Sequence, residues 1–275
     1  MNDLLPHFGS HGQVEHTILE PMIRWLCGGR ALRVQDGGCG EGEPALEFAA
    51  QGCAVVGVDL DPEALEAAGL LRARTACADR MSLARADLTR LPYSDGAFDL
   101  AWSSAVLHHM ADRLAAVREL RRVLKPGGRL AIRESGLAPH FLPFDIGLGE
   151  PGLQDRLSVA DDRWFVAMTR DTLRDERPYP FGWSQLLRDT RFADVQARTF
   201  TMDALSPLNP AEGEFVVHHL RRTLDRDAGP YGPLLEEADR RALRELLDPD
   251  GARYVLKRSD LHLRYGLSVY VGEKR

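Results

Sequence analysis

The residues best suited to chemistry in this 275-residue chain are acids that follow three short apolar segments. Asp36 lies in the stretch VQDGGCGEG (residues 34–42), Asp59 ends the stretch AVVGVDL, and Asp87 lies in RADLTRLP. Three glycines at alternate positions in the first stretch allow a ligand to approach the backbone closely. Carboxylates attract groups that carry positive charge. The spacing therefore predicts a site for a ligand that bears a cationic group.

Two common nucleotide-binding patterns do not fit the glycine loop. A Walker loop needs a lysine after its last glycine, and none follows Gly42. Gly38, Gly40 and Gly42 give GxGxG rather than the GxGxxG fingerprint of dinucleotide-binding proteins. A pyrophosphate in this loop would also meet several neighbouring carboxylates. The acids instead favour a ligand with an ammonium or a sulfonium group.

A second set of patterns describes the elements that must hold these acids. Between residues 30 and 135, short apolar segments alternate with segments of helical spacing, and FDLAWSS (residues 98–104) is one of the predicted strands. This alternation predicts an α/β fold with a mostly parallel sheet and helices on both faces. Because the carboxyl ends of parallel strands lie at one edge, we expect the three acids to lie there together.

We expect a single domain over residues 1–275. Its core is predicted at residues 30–135 and 182–275, after an N-terminal helical segment at residues 1–29. Residues 136–181 are rich in Pro, Phe, Trp and Gly and show no strand–helix alternation. An insert after the fifth strand is placed over the edge where open α/β sheets bind ligands. We therefore interpret this aromatic-rich segment as a lid or substrate cap.

The composition of the chain limits the class of protein, the partners and the location that we expect. Hydrophobic residues make up 44% of the chain and charged residues 28%, which is typical of a globular protein. A net charge of -6 disfavours a nucleic-acid partner. The four cysteines have neither CxxC pairing nor metal-ligand spacing, which predicts reduced thiols, no metal and a cytoplasmic location. No stretch reaches the ~20 apolar residues of a membrane span, and the sequence leaves a homodimer open.

The motifs resemble those of a known family. VQDGGCGEG is similar to the VLDLGCGTG motif of class I S-adenosylmethionine-dependent methyltransferases, and GVDLDPEAL resembles their second motif. FDLAWSSAVLHHM resembles the FDxVxxxxxLHH stretch of the small-molecule branch, and LKPGG precedes the fifth strand as it does in that family. The resemblance covers about residues 30–135. It implies a Rossmann-like sheet of seven mostly parallel strands and S-adenosyl-L-methionine as the cofactor.

The resemblance also implies a role for each residue that matches the family's motifs. The methionine moiety is expected around Asp36, the ribose hydroxyls at Asp59 and the adenine amino group at Asp87. The other expected cofactor contacts are Gly38, Cys39 and Gly40 in the first loop, Leu60 and Leu88 beside the adenine ring, and Ser103, with Ser104 as its alternative, after the fourth strand.

Three positions of the glycine loop depart from the family's pattern. Gln35 and Gly37 stand where the family has aliphatic residues, and Glu41 stands where Thr or Ser is common. A buried glutamine needs a hydrogen-bond partner, and an extra glycine loosens the turn. We expect these residues to reshape the pocket or to weaken the cofactor affinity.

His108 and His109 are the candidates for catalysis. They follow the fourth predicted strand, and an imidazole with a pKa of ~6.5 can accept a proton from a hydroxyl group. One of the two could instead pack against or cap a helix. Further candidates are Glu134, His140, Asp145 and Tyr179. Aromatic residues of the cap form either its own core or a wall against the substrate, and these are Trp164, Phe165, Phe181 and Trp183.

The expected function is methyl transfer to a small-molecule acceptor in bacterial specialised metabolism. Displacement at a sulfonium methyl carbon mainly requires alignment of the nucleophile and exclusion of water. The [DN]PPY-type motif of nucleic-acid amino-methyltransferases is absent after the fourth strand, where AWSSAV stands. Two alternatives stay open. One is a protein of the same fold that binds the cofactor but catalyses a cyclisation or a decarboxylation, or only regulates, and the other is a nicotinamide-dependent oxidoreductase.

Overall fold

The computed structural model describes residues 8–173, 179–180 and 182–275. Helices and strands are named here in chain order. They are α1 (Ser10–Cys27), β1 (Arg33–Gly37), α2 (Glu43–Ala50), β2 (Ala54–Asp59), α3 (Pro62–Ala73), β3 (Met81–Arg85), β4 (Phe98–Ser104), α4 (Arg113–Val123), β5 (Leu124–His140), α5 (Leu153–Leu173), α6 (Trp183–Asp189), β6 (Phe192–Leu205), α7 (Pro210–Asp227), α8 (Glu237–Leu247) and β7 (His262–Lys274). A 3₁₀ turn, Leu107–His109, lies between β4 and α4.

The strands form one sheet in the order β3-β2-β1-β4-β5-β7-β6. Strands β1 to β5 run parallel, and β7 is antiparallel to both of its neighbours, β5 and β6. The predicted α/β fold with a mostly parallel sheet is confirmed. From β1 the chain builds outward to β2 and β3 on one side, and it then returns to place β4 on the other side of β1. This reversal leaves a crevice at the carboxyl ends of β1 and β4.

Apolar side chains cover both faces of the sheet. On one face, α1 and α2 pack against the strands, and Phe48 meets Trp102 of β4 edge to face. On the opposite face, α4 and α6 pack through Leu120 and Leu186. A third group of buried side chains, called the distal cluster here, joins α5, α7 and α8 to the loop after β5; it includes Phe141, Leu157, Leu220 and Leu243.

Local signals in the sequence set the ends of several helices. At the start of α3, the Asp61 carboxylate accepts a hydrogen bond from the Glu63 backbone N–H at 2.9 Å, and Pro62 occupies the first turn. At the start of α7, Asn209 and Glu212 form a capping box in which each side chain bonds the backbone of the other residue. These contacts satisfy N–H groups that a helix leaves without a partner.

The expected boundary between the core and the cap at residue 136 lies within β5. Strand β5 continues to His140, and its last part pairs with β7 in the register Leu137↔Gly266 and His140↔Arg264. The strand begins at Leu124, which pairs with Phe98 of β4, and regular pairing resumes at Arg129 after an irregularity at the LKPGG stretch. Beyond Arg133, pairing with β7 keeps the backbone extended.

Nearly half of the predicted cap is a single helix of 21 residues, α5, although its sequence showed no regular alternation. Helix α5 places Leu153, Leu157 and Ala160 in the distal cluster, at the spacing of one helix face. Residues 174–178 and Phe181 of the cap lie outside the described residues. Within the described ranges, each helix is too short or too polar to cross a membrane.

Leu100 and Leu205 provide a matched test of the sheet's core. Leu100 in β4 is completely buried, whereas 67% of Leu205 at the end of β6 is exposed. We expect Leu100→Ala to lower the free energy of unfolding by about 2–5 kcal/mol, because it removes buried methyl groups and leaves a cavity. Leu205→Ala should change it by less than about 0.5 kcal/mol. Urea denaturation measures both, and equal losses would contradict the assignment of the core.

Candidate functional site

The glycine loop after β1 is tied to the neighbouring strand by its backbone. The N–H groups of Gly38 and Cys39 both donate to the Val58 carbonyl oxygen of β2, at 2.8 and 2.9 Å. The loop therefore leaves β1 and turns across the end of β2, at the crevice where the strand order reverses. This brings the end of β1 and the end of β2 together, as the sequence predicts.

Asp36 is the most unusual group at this edge. Its side chain is completely buried in β1, and neither carboxylate oxygen has a hydrogen-bond partner among the described residues. Burial, together with the charge of Asp59, raises the pKa of Asp36 to about 8. A buried carboxylate is stable as an anion only with a partner. The side chain is therefore suited to accept a cationic or hydrogen-bonding group from a ligand.

The glycines of the loop have separate reasons for their small size. Gly38 has a φ of 74°, and a Cβ there would lie 2.3 Å from Cγ2 of Val106. Gly40 has a φ of 51°, but nothing lies within 4 Å of the Cβ position. Gly38 is thus required by the close approach of the segment after β4. Gly40 faces open space, so a ligand can approach its backbone.

Cys39 turns its side chain back into the protein. A Cβ on Gly57 of β2 would lie 3.0 Å from the Cys39 sulfur, and only 4% of the cysteine is exposed. Burial raises the pKa of the thiol, and the charges of Asp36 and Asp59 raise it further. The thiol is therefore a neutral packing group, and only the backbone of Cys39 faces the loop's open side.

Asp59 is fixed in place at the end of β2. One carboxylate oxygen accepts the Gly40 N–H at 2.9 Å, and the other accepts the Asp61 N–H at 3.0 Å. Each oxygen keeps a lone pair for a further donor. Leu60, the next residue, is 56% exposed. The pair is therefore available to a ligand that lies across the ends of β1 and β2.

Asp87 lies two residues beyond β3, which ends at Arg85 rather than at Asp87 as the sequence suggested. One of its oxygens accepts both the backbone N–H and the hydroxyl of Thr89 at 2.8 Å. Leu88 is buried, and its Cδ2 lies 2.7 Å from the Cβ position of Gly37. The loop after β3 thus contacts the end of β1, where Asp36 lies.

Gln35 and Gly37 are the two departures from the family's pattern within β1, and the glutamine side chain occupies the space beside the glycine. The amide nitrogen of Gln35 lies 3.2 Å from the Cβ position of Gly37, so any larger residue at 37 would meet the glutamine and Leu88. Gln35 and Ser103 are completely buried, and no described residue bonds their side-chain polar atoms. Glu41, the third departure, is exposed. The side chains of Gln35 and Ser103, neither of which is bonded by a described residue, therefore lie close to Gly37 in the sheet.

His108, which is partly buried, and Glu134, which is buried, form a pair after β4. The His108 Nδ1 lies 2.6 Å from one oxygen of Glu134, and the other oxygen accepts the Leu107 N–H at 3.1 Å. Glu134 in β5 is only 4% exposed. The carboxylate holds the imidazole by Nδ1, which leaves Nε2 for an acceptor. Glu134, one of the further candidates predicted from the sequence, is thus the partner of His108.

His109 is less suited to act as a base. Its ring centroid lies 3.9 Å from that of His108, and its pKa is lowered by burial and by the neighbouring histidine. Of the other candidates, His140 contacts Arg264, Asp145 bonds the backbone of its own loop, and Tyr179 bonds Asp189. These three residues do not join the His108 pair.

A cluster at the start of the chain was not predicted. Glu15 of α1 accepts hydrogen bonds from Arg133 of β5 at 2.6 Å and from the Tyr265 hydroxyl at 2.9 Å. Burial acts to raise the pKa of Glu15, but His11 and Arg133 outweigh it and lower the value to about 2. Arg133 also donates to the Ser104 hydroxyl at 3.0 Å. Helix α1 is therefore bound to the ends of β4 and β5.

No group of three or more His, Cys, Asp or Glu side chains is placed to hold a metal ion within the described ranges. The acids at the strand ends fit S-adenosyl-L-methionine instead. Asp36 offers two unbonded, buried oxygens for its ammonium, and Gly40 leaves open space for its chain. The two oxygens of the Asp59 carboxylate are oriented by backbone N–H groups and can accept hydrogen bonds from two adjacent hydroxyls.

Comparison with known proteins agrees with this geometry. A family model described as a methyltransferase domain matches residues 35–132. The 27-O-demethylrifamycin SV methyltransferase of Amycolatopsis mediterranei (strain S699) is 41% identical over 108 residues, which cover 39% of this chain and 40% of that protein. The chain thus spans about two fifths of the length of this curated relative.

Solved structures share the fold over most of the chain. The YcgJ protein of Bacillus subtilis is 20% identical, with a TM-score of 0.54 over 94% of this chain and 99% of that one. The phosphoethanolamine N-methyltransferase 2 of Haemonchus contortus, solved with S-adenosyl-L-methionine, is 18% identical, with a TM-score of 0.50 over 93% of this chain and 52% of that one. At these identities the likeness establishes the fold.

Asp36 makes the stability of the cofactor-free protein depend on pH. Its pKa of about 8 lies above the ordinary value of 3.8, so the unfolded carboxyl ionises first and stability falls as pH rises from 4 to 8. Asp36→Asn removes this loss. We expect the variant's stability relative to the natural protein to rise by on the order of 5 kcal/mol between pH 4 and pH 8, measured by urea denaturation.

Asp99 supplies the control of opposite sign. Bonds from Lys125 and from the Arg33 backbone outweigh its burial and lower its pKa. Its carboxylate therefore stabilises the fold above its ordinary pKa, and Asp99→Asn should lose stability as pH rises from 3 to 6. If the difference in stability between Asp36→Asn and the natural protein did not change with pH, the raised pKa of Asp36 would be contradicted.

Proposed function

We propose that this chain is a class I, Rossmann-like S-adenosylmethionine-dependent methyltransferase and that it transfers a methyl group to a hydroxyl of a small-molecule acceptor. The observation that carries this proposal is the completely buried, unpartnered Asp36 beside the glycine loop. A cofactor with an ammonium group supplies the missing charge. The proposal concerns the whole protein, of which the matched region is a part.

Three acids would hold the cofactor, each by different chemistry. Asp36 would bond the ammonium, Asp59 the two ribose hydroxyls and Asp87 the adenine amino group. Leu60 and Leu88 would flank the adenine ring. Further contacts would come from the backbone of Gly38, Cys39 and Gly40 and from Ser103. When bound, the cofactor supplies a methyl group on a sulfonium, which is already a good leaving group.

His108 would act as the base. Its Nδ1 is held by Glu134 at 2.6 Å, so the ring is oriented and its Nε2 can accept a proton from the acceptor hydroxyl. Glu134 is then a positioning residue, because it acts through His108. The 41% identical relative is named for a transfer to oxygen, which supports a hydroxyl acceptor. His109, whose ring centroid lies 3.9 Å from that of His108, would be a second residue close to the acceptor hydroxyl.

A role in bacterial specialised metabolism is part of the same proposal, supported by the name of that relative. The structure's four cysteines are free, which agrees with the proposed cytoplasmic location. The homodimer stays an open prediction from the sequence.

The decisive experiment incubates the protein with methyl-labelled S-adenosyl-L-methionine and a library of hydroxylated small molecules. The proposal predicts a labelled product that is heavier than its acceptor by one methyl group. A product of unchanged mass would instead support the alternative cyclisation. Binding of NADH without binding of S-adenosylhomocysteine would contradict the family assignment at the level of the cofactor.

Asp59 and Glu41 provide a matched test of the cofactor grip. Both are carboxylates close to the glycine loop, but Asp59 is held by two N–H groups and Glu41 is exposed. We expect Asp59→Ala to weaken S-adenosylhomocysteine binding by about 10- to 100-fold, because bonds to a charged group are lost. Glu41→Ala should change it less than about threefold. Calorimetry measures both, and equal effects would contradict the role of Asp59.

His108 can be tested independently of cofactor binding. We expect His108→Ala to lower kcat for a hydroxyl acceptor by about 100- to 10,000-fold while S-adenosylhomocysteine affinity is unchanged. Glu134→Gln should lower kcat and shift the pH profile, because the imidazole loses its anionic partner. His218→Gln, on the exposed side of α7, is the control. Full activity of His108→Ala would exclude this base.

A further inference from the structure

A cavity of about 370 Å³ lies between α5, α7 and the end of β5. Its volume is in the range of small-molecule pockets. Apolar walls come from Pro139, Phe141, Leu157 and Leu220. Polar groups line the cavity from both helices, with Gln154, Ser158, Asp161 and Asp162 on α5 and His219, Arg222, Thr223 and Arg226 on α7. None of these residues belongs to the part of the chain that would hold the cofactor. The cavity therefore lies apart from the proposed cofactor contacts, and its walls are both apolar and charged.

The cavity is connected to the proposed base through one aromatic side chain. Phe165 of α5 lines the cavity, and its ring centroid lies 5.4 Å from that of His108. Phe165 is 41% exposed, so it is not part of the core of the cap. This position favours the substrate-wall interpretation of the aromatic residues over the interpretation as cap core. A molecule in the cavity would lie beside the residue that covers His108.

Arg222 of α7 is a partly buried charged group in this cavity, and no described residue bonds its guanidinium. It lines the cavity and is half-buried, and its Nε is shielded from solvent without a hydrogen-bond acceptor among the described residues. Burial lowers its pKa, and the charge of Arg226 lowers it further. A guanidinium removed from water without an anion is unfavourable, so this group is suited to receive one.

The acids near Arg222 are already used. Asp161 pairs with Arg226 at 2.8 Å and accepts the Thr223 hydroxyl at 3.2 Å, and Glu15 pairs with Arg133 at 2.6 Å. His219, which also lines the cavity, is neutral because burial and Arg222 lower its pKa to about 3. Asp162 of α5 also lines the cavity, but its side chain is exposed to solvent. No acid among the described residues pairs with Arg222.

We propose that this cavity is the acceptor site and that Arg222 recognises a carboxylate on the acceptor. The acceptor would be an amphipathic hydroxy acid, with its apolar body against the Phe141 and Leu157 walls and its hydroxyl toward His108. This inference rests on the proposed methyl transfer for the identity of the occupant. It adds a residue that determines specificity, since an uncharged analogue would leave the guanidinium desolvated without a partner.

The test compares hydroxy acids with their primary amides, which differ in charge but hardly in size. Binding of 3-hydroxybenzoate, 4-hydroxybenzoate and 3-hydroxy-2-naphthoate, and of the three amides, is measured by calorimetry on protein saturated with S-adenosylhomocysteine. We expect the best acid to bind about 10- to 100-fold more tightly than its amide, because a bond to a charged group is gained. Arg222→Gln should remove this preference, and Arg222→Lys should restore part of it.

Arg221→Gln is the matched control, because Arg221 is the adjacent residue of α7 but is exposed. It should keep the preference for acids in full. Thermal unfolding of each variant establishes that it is folded. Equal binding of acids and amides by the natural protein, or a preference that survives in Arg222→Gln, would overturn the proposal.

Failure of the two proposals can be distinguished, because this binding is measured without methyl transfer. Acid-selective binding through Arg222 with no labelled product from any acceptor would contradict the proposed function and support the anion site. Labelled products from neutral acceptors, at rates that Arg222→Gln does not change, would support methyl transfer and contradict the anion site.

Discussion

A carboxylate enclosed in the sheet without a partner is the constraint on which this site depends. Asp36 can be buried there because β1 has neighbours on both sides, and the packing of the whole sheet offsets the cost of one unpaired polar group. Its burial favours the neutral acid, so the cofactor-free protein avoids an isolated interior charge. The nearby loops complete the arrangement, since Gly38 and Cys39 bond β2 while Gly40 bonds Asp59.

The end of β5 connects two parts of the site through adjacent residues. Successive side chains of a strand point to opposite faces of the sheet. Arg133 therefore bonds Glu15 and holds α1 on one face, whereas Glu134 bonds His108 on the other face. The same two positions thus fix both the cover formed by the N-terminal helix and the orientation of the proposed base. A shift of β5 by one residue would exchange the two faces and disrupt both contacts.

The sequence predicts the parts of the molecule whose causes are local. FDLAWSS matches β4 at both ends, and the glycine loop and its acids occupy the edge expected from parallel strands. The end of β5 and helix α5 were harder to predict, because pairing with β7 and packing against α7 determine them. The partners that Glu134 and Glu15 bond lie between 26 and 250 positions away in the chain. Such contacts leave no repeating pattern in one sequence.

The distal cluster has a consequence for how the protein can change over time. Helices α5, α7 and α8 bury their apolar residues mostly among themselves and the loop after β5, outside residues 35–132. Substitutions that reshape the cavity between α5 and α7 can therefore accumulate without disturbing the acids at the strand ends. The division of the core into separate clusters thus lets residues of the distal cluster change while the packing around the strand ends is kept.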